Sequence, residues 1–237
     1  RWDGNAWVSL GGGTNRPVWA LTVHEGKLVA GGLFSKAGNA LAVNLAVWDG
    51  ATWSALGSGT DQEVLALLSR PGELLVAGSF DYFGQRPAHH ILSWDGTTWR
   101  TLGEGLDGQV VSLTEYDGKV VAGGSFQRSG DAWLFNVARW DGSVWTPLGE
   151  GTNGRVDRLL VYDGHLFAAG QFSHAGGEFA LGVAAWDGTT WTKAGNGLDG
   201  SAMSLGVHEG ALFVSGEFQR AGDIAGNYSL QFLGELK

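Results

Sequence analysis

The chain contains no cysteine, only four prolines among its 237 residues, and no long apolar run. Without cysteine it cannot form disulfides, cysteine-ligated zinc sites or a thiol nucleophile. No apolar segment approaches the roughly 18 residues that span a bilayer, and the N-terminus lacks the basic-then-apolar pattern of a secretion signal. We therefore expect no membrane insertion. Because the first residue is Arg1 rather than Met, we expect an excised domain, a mature product or an engineered chain.

Basic residues are also scarce. The 15 Lys and Arg residues stand against 24 Asp and Glu residues, which gives a formal net charge of −9. They form no cluster of the kind that binding to a phosphate backbone requires. We therefore expect no nucleic-acid partner, and a net charge this far from zero favours a monomer.

Glycine and tryptophan are abundant instead, and they recur at fixed spacing. The tripeptide Trp-Asp-Gly begins at residues 2, 48, 94, 140 and 186, so it returns every 46 residues without an insertion or deletion. The chain is therefore five copies of one unit. A period of 40 to 50 residues that contains several short strand-like runs is typical of a β-propeller, whose repeats bury their faces against one another.

Each unit predicts four short strands separated by glycine-containing turns. In the second copy the predicted strands are residues 64–69, 74–78, 90–94 and 52–56, in that order across the sheet. Glycine follows an acidic residue or Pro71 between the first two strands, where it can adopt the positive φ of a hairpin turn. Two aromatic positions also recur and predict buried rings between sheets. They are Trp7, Trp53, Trp99, Trp145 and Trp191, and Phe34, Phe80, Phe126, Phe172 and Phe218.

These observations predict an all-β fold, a five-bladed β-propeller of four-stranded antiparallel blades, formed by residues 1–237 as a single domain. Residues 1–10 contain only the Trp-Asp-Gly turn and a fourth strand, whereas residues 201–232 contain the first three strands of a last sheet. We therefore expect the N-terminal strand to join the last blade and close the ring, which would remove two exposed sheet edges. Phe232 and Gly234 begin a sixth copy of the motif.

The unit resembles a kelch repeat. The resemblance rests on the glycine pairs Gly31-Gly32 and Gly123-Gly124 at the end of the second strand, and on segments such as residues 140–145, Trp-Asp-Gly-Ser-Val-Trp. The glycine pair is Ala-Gly or Ser-Gly in the other three copies. The resemblance implies a propeller fold, in a family that ranges from galactose-oxidase-type enzymes to protein-binding scaffolds. Five tryptophan-rich blades are also similar in architecture to tachylectin-type lectins.

The segment between the second and third strands differs in every copy, and variable segments on a rigid frame are the usual place for binding. Free drift of surface loops after duplication is the alternative. Within these segments the predicted ligand-binding residues are Tyr82, Arg86, Arg128, Trp133, His174 and Arg220. Exposed aromatic side chains stack on sugar rings or anchor protein contacts, so the expected partner is a protein or a glycan.

Other motifs in the chain do not predict catalysis or a cofactor. The Gly-x-Gly-x-x-Gly pattern at residues 103–108 needs a following helix to bind a dinucleotide, and none is predicted. Asn15, Asp61, Asp107, Asn153 and Asp199 each bring one side-chain oxygen to a loop, too few for calcium, so we expect turns there. The pair His89-His90 would point to opposite faces of a strand, which argues against a shared metal. We therefore expect no catalytic residues, no metal and no cofactor.

Asp157 and Arg158 interrupt the repeat, because the other copies have apolar or small residues at these positions of the first strand. They predict a charge facing the centre of the ring, with a mutual ion pair as the alternative. Taken together, the sequence predicts a non-enzymatic binding or structural module, part of a larger extracellular or cell-surface protein, or else an engineered repeat protein. A multivalent lectin and an enzyme that uses the central channel are the alternatives.

Overall fold

The computed structural model describes residues 1–226 and 228–231, and every regular element in that part of the chain is a β-strand. The prediction of an all-β fold is therefore confirmed for these residues. The same residues include no helix long and apolar enough to cross a membrane. Phe232 and Gly234, the start of the predicted sixth motif, lie outside them.

The strands follow the 46-residue repeat. The first repeat contains β1 (Val18–His24), β2 (Lys27–Gly32), β3 (Lys36–Ala37), β4 (Ala40–Leu41), β5 (Leu45–Trp48) and β6 (Trp53–Ala55). The second contains β7 (Val64–Arg70), β8 (Glu73–Gly78), β9 (Tyr82–Phe83), β10 (Arg86–Pro87), β11 (Ile91–Trp94) and β12 (Trp99–Thr101). The third contains β13 (Gln109–Tyr116), β14 (Lys119–Ser125), β15 (Arg128–Ser129), β16 (Ala132–Trp133), β17 (Val137–Trp140) and β18 (Trp145–Pro147). The fourth contains β19 (Arg155–Tyr162), β20 (His165–Gln171), β21 (His174–Ala175), β22 (Glu178–Phe179), β23 (Val183–Trp186) and β24 (Trp191–Lys193). The fifth contains β25 (Ser201–His208), β26 (Ala211–Glu217), β27 (Arg220–Ala221), β28 (Ile224–Ala225) and β29 (Ser229–Gln231).

Four of the repeats form a four-stranded antiparallel sheet each, as predicted. The strand orders are β1-β2-β5-β6, β7-β8-β11-β12, β13-β14-β17-β18 and β19-β20-β23-β24. The fifth sheet has the order β25-β26-β29, with three strands among the described residues. The two extra short strands of every repeat pair with each other as a separate hairpin.

Glycine sets the turns between the first two strands of each sheet. At Asp117-Gly118 both residues have positive φ, 50° and 69°, which is the conformation of a type I′ hairpin turn. Its twist matches that of the flanking strands, which is why the turn joins β13 to β14 without an intervening loop. Pro71 cannot adopt a positive φ, and in that repeat only Gly72 does so, with a φ of 70°.

The core lies between neighbouring sheets within the first two repeats and within the last three repeats. In the first two repeats Val29 of β2 and Val64 of β7 belong to one buried cluster. In the last three, Val121 packs with Val156 and Leu159 in one cluster, and Phe167 packs with Leu205 in the next. The first strand of each of the five large sheets has a register irregularity near its start, for example between Val156 and Arg158.

The recurring rings are buried in most repeats but not in all. The five repeated Phe residues are at most 6% exposed, so the prediction of buried rings is confirmed for them. Trp145 and Trp191 are 2% and 4% exposed, and Trp53 and Trp99 are half-buried. The prediction is wrong for Trp7, which is 81% exposed. Trp7 lies in an N-terminal hairpin. In the part of the chain that the structure describes, one antiparallel β-bridge forms this hairpin, between Trp2 and Trp7.

The chain divides into two compact units, Arg1–Gly105 and Leu106–Lys237, which contain two and three of the larger sheets respectively. The single domain and the closure of the ring by the N-terminal strand stay predictions.

Candidate functional site

The variable segments, predicted as loops, are five short β-hairpins that follow the second strand of each sheet. Residues at positions 36, 82, 128, 174 and 220 begin them. The six predicted ligand-binding residues all lie on these hairpins: Tyr82 on β9, Arg86 on β10, Arg128 on β15, Trp133 on β16, His174 on β21 and Arg220 on β27. We call these five elements the variable hairpins.

A single Asn or Asp fixes each variable hairpin to the chain before the first strand of its sheet. Asp107 Oδ1 accepts hydrogen bonds from the backbone N–H groups of Gln127 and Arg128, at 2.7 and 2.8 Å, and the Asp107 N–H donates to the Arg128 carbonyl at 3.0 Å. The same three bonds recur at Asn15, Asp61, Asn153 and Asp199. We expected these residues to form local turns. That expectation is wrong, because their hydrogen bonds join residues that are 20 or 21 positions apart in the chain. The backbone of the hairpin is held the same way whatever side chains it bears.

The third variable hairpin brings two of the predicted residues into contact. The Arg128 guanidinium carbon lies 3.6 Å from the centroid of the Trp133 ring, a cation–π arrangement. Phe135 stacks beside Trp133 with ring planes 9° apart and centroids separated by 5.5 Å. Trp133 and Phe135 remain 48% and 38% exposed. This cluster is a preformed aromatic and cationic surface.

The other four predicted residues lie on three hairpins, with Tyr82 and Arg86 together on the second. His174 meets Phe179 edge to face at 5.3 Å, across the fourth hairpin. Tyr82 is 48% exposed and pairs with Pro87, next to Arg86 on the opposing strand. Arg220 donates from Nη2 to the Asp223 carbonyl at 2.8 Å within its own hairpin. The structure therefore brings Arg128 and Trp133 into contact. The other four predicted residues lie on the second, fourth and fifth hairpins.

The aspartates of the Trp-Asp-Gly motif have a structural role at the turns between the third and fourth strands. Asp95 Oδ1 accepts the backbone N–H groups of Thr97 and Thr98 and the Thr97 hydroxyl, at 2.7 to 2.9 Å. These bonds to the charged form lower the pKa of Asp95 to about 2, with the Thr97 hydroxyl contributing most. The pKa of Asp187 is lowered further, mainly by the Thr190 N–H. These carboxylates are turn acceptors, not free acids.

The two adjacent histidines do not sit on a strand. His89 and His90 have φ angles of 48° and 67° and precede β11, which begins at Ile91. The prediction of a strand from residue 90, and the argument from its alternating faces, are therefore wrong. His90 Nε2 lies 3.4 Å from Asp81 Oδ1. Among residues 1–226 and 228–231, no group of three or more His, Asp or Glu side chains is placed to hold a metal.

The charged interruption of the fourth repeat forms an ion pair different from the one that the sequence suggested. Asp157 Oδ1 lies 2.6 Å from Arg155 Nε, while Arg158 is exposed. The register shift between Val156 and Arg158 leaves Asp157 at the bulge, so strict alternation of strand faces does not apply there. Burial raises the pKa of Asp157, and Arg155 opposes that shift.

The structure contains a cleft between the fourth and fifth sheets that the sequence analysis did not predict. Its volume is about 400 Å³, and its lining includes Phe172, Gly182, Leu198, Asp199 and Gly200. Residue 182 belongs to a repeated position whose backbone is always left-handed. The members and their φ angles are Asn44 (62°), His90 (67°), Asn136 (68°), Gly182 (82°) and Tyr228 (79°). In the sequence this repeat differs from the others at this position only by having glycine, which does not by itself indicate a cleft.

Comparison with known proteins gives the fold but no family. No family model and no curated protein matches the chain. The crystal structure of the computationally designed Ika8 protein is similar to this chain, with a TM-score of 0.55 and 17% sequence identity. The alignment covers 84% of this chain and 55% of the Ika8 chain. The crystal structure of the computationally designed Ika4 protein is also similar, with a TM-score of 0.50 and 18% sequence identity. The alignment covers 77% of this chain and 98% of the Ika4 chain. The chain thus spans about half the length of Ika8, and at such identities the likeness concerns the fold alone.

Proposed function

We propose that this chain is a non-enzymatic, rigid scaffold that presents the variable hairpins to a binding partner. The observation that carries the proposal is the repeated attachment of the hairpins. Five hairpins with different side chains are held by the same three hydrogen bonds to an Asn or Asp. An ordered backbone with exchangeable side chains lowers the entropy cost of binding.

The third variable hairpin is the strongest candidate for the contact with a partner. Trp and Arg are enriched among the residues that dominate binding energy at protein interfaces, and Arg128 and Trp133 are already stacked on each other. Arg128 covers one face of the Trp133 indole, which leaves less of that ring for stacking on a sugar. A protein segment therefore suits this surface better than a glycan does.

The scaffold is a five-bladed, kelch-like ring closed by the N-terminal strand. Two exposed apolar side chains near the N-terminus support this. Leu21 is 61% exposed, while Leu159 and Leu205 at the equivalent position are 3% and 4% exposed. Trp7 is 81% exposed although Trp191, its equivalent, is buried. Closure would bury both residues as their equivalents are buried.

The scaffold has two alternative origins: it is a module of an extracellular protein, or it is an engineered repeat protein. Ika8 and Ika4 are both computationally designed. Since a designed chain can adopt this fold, the engineered origin is compatible with it, and the variable hairpins would then be sites for introducing a binding function.

Selection of binders from a random peptide library displayed on phage tests the proposal. We expect selected peptides to lose at least tenfold in affinity when Arg128→Ala and Trp133→Ala are combined, because the substitutions remove the half-buried Arg128 side chain and the exposed Trp133 ring together. The matched control is Asp163→Asn, in the tight turn at the other end of the fourth sheet, which should leave affinity unchanged. A glycan array with the same variants addresses the lectin alternative.

The proposal fails if the selected peptides bind the double variant as well as the original chain, or if Asp163→Asn abolishes binding. It also fails if glycans bind through Trp133 and no peptide does.

A further inference from the structure

The cleft between the fourth and fifth sheets occupies a place that a buried carboxamide fills in two other repeats. Asn44 is 4% exposed, and its Nδ2 donates to the carbonyl oxygens of Thr60 and Gln62, both at 2.9 Å. Its Oδ1 accepts the Phe34 N–H at 3.0 Å. Asn136 likewise donates to the Thr152 carbonyl at 2.8 Å. The side-chain amide thus links one sheet to the lead-in of the next.

At Gly182 the backbone is the same, but the carboxamide is missing. The Gly182 N–H donates to the Phe172 carbonyl at 2.8 Å, as Asn44 donates to Phe34 at 2.8 Å. The Gly182 carbonyl accepts the Gly170 N–H at 3.0 Å, the distance found at Asn44 for the Gly32 N–H. Since the backbone bonds are conserved in length, the difference between the repeats is the absent side chain.

A second change in the fifth repeat removes another donor from the same place. The Thr60 hydroxyl donates to the Gln62 carbonyl at 2.7 Å, and Thr152 does the same for Gly154 at 2.8 Å. Leu198 occupies the equivalent position and has no hydroxyl. The carbonyl oxygen of Gly200, the equivalent of Gln62, therefore loses both side-chain donors.

Three backbone groups around the cleft consequently lack the partners that their equivalents have. Within residues 1–226 and 228–231, no donor reaches the carbonyl oxygens of Leu198 or Gly200, and no acceptor reaches the Phe172 N–H. The Gly200 oxygen lies 3.3 Å from the point where a Cβ of residue 182 would be. Backbone groups left without a partner in the fold are rare, so they call for water or a ligand.

We propose that this cleft binds the primary carboxamide group of a small molecule or of an Asn or Gln side chain. The amide nitrogen has two hydrogens for the carbonyl oxygens of Leu198 and Gly200, and the amide oxygen accepts the Phe172 N–H. This is the set of bonds that Asn44 makes within the chain. The cleft volume of about 400 Å³ is in the range of small-ligand sites.

Titration with acetamide, followed by the ¹H–¹⁵N spectrum of the full chain, tests the site. We expect the Phe172 amide resonance to shift and saturate. Gly182→Asn should abolish the shift, because Asn tolerates this left-handed backbone and supplies the carboxamide itself. Asn44→Gly should create a second site, which a saturable shift at Phe34 would report. At that site the Gln62 carbonyl keeps the Thr60 hydroxyl as a donor.

Two further ligands separate carboxamide recognition from charge recognition. Methylammonium has N–H donors and a charge but no carbonyl, and acetate has the shape of acetamide without its N–H groups. Neither should produce the saturable shift at Phe172. The proposal is overturned if acetamide gives no saturable shift, if the shift persists in Gly182→Asn, or if methylammonium alone produces it.

Discussion

Replacing Trp191 by alanine is expected to lower the free energy of unfolding by about 3–5 kcal/mol, the range for truncating a large buried aromatic side chain. Trp191 is 4% exposed, its ring lies 5.5 Å from that of Trp186, and its Nε1 donates to the Leu148 carbonyl at 2.8 Å. The substitution removes the ring from the core and leaves that carbonyl without its donor. Urea unfolding followed by fluorescence and circular dichroism gives the value.

The matched control is Trp133→Ala, which removes the same side chain from a variable hairpin. Because Trp133 is 48% exposed, the loss should stay below about 1 kcal/mol. Equal losses at the two tryptophans would contradict the distinction between a repeated core and variable hairpins.

Gly170→Ala is expected to destabilise the chain by about 3 kcal/mol, at the upper end of the cost of overpacking. Gly170 is the second residue of the Ala169-Gly170 pair near the end of the second strand, and an added Cβ would overlap the carbonyl oxygen and carbon of Arg155 on the adjacent strand. Both groups are backbone, so neither can rotate away. Thermal and urea unfolding of the purified variant measure the loss.

Gly206→Ala controls for the general effect of exchanging glycine in a strand. Gly206 lies in β25, and a Cβ added there meets no atom within 4 Å. We expect a change within about 0.5 kcal/mol. A loss at Gly206 as large as that at Gly170 would show that contact with Arg155 is not the cause.

The repeat made much of the fold predictable. Trp-Asp-Gly at a constant interval located five units, and acidic-Gly pairs such as Asp117-Gly118 located the tight turns because only a few residues tolerate their positive φ. Strand ends were less certain. His90 looks like a strand residue by its neighbours, but its backbone is left-handed because position 90 is part of a repeated turn. That turn is specified by tertiary hydrogen bonds, which local sequence does not reveal.

The candidate sites were predictable only in part. Variation between copies identified the hairpins on which Arg128 and Trp133 lie, yet not their contact, since that depends on the register of a two-residue strand pair. The cleft at Gly182 could be recognised only after Asn44 was seen to bond to the next repeat. Glycine at a turn is so common that its presence there gave no indication of a missing side chain.

The most direct measurement of the central claim, that the frame is independent of the hairpin side chains, is the unfolding free energy of a hairpin exchange. Lys36→Arg, Asn39→Asp and Leu41→Trp introduce the equivalent residues of the third variable hairpin at three exposed positions of the first, while buried Ala37 and the Asn15 bonds stay unchanged. We predict a change of less than about 1 kcal/mol, because exposed substitutions rarely have larger effects. A loss as large as that expected for Trp191→Ala would contradict the claim.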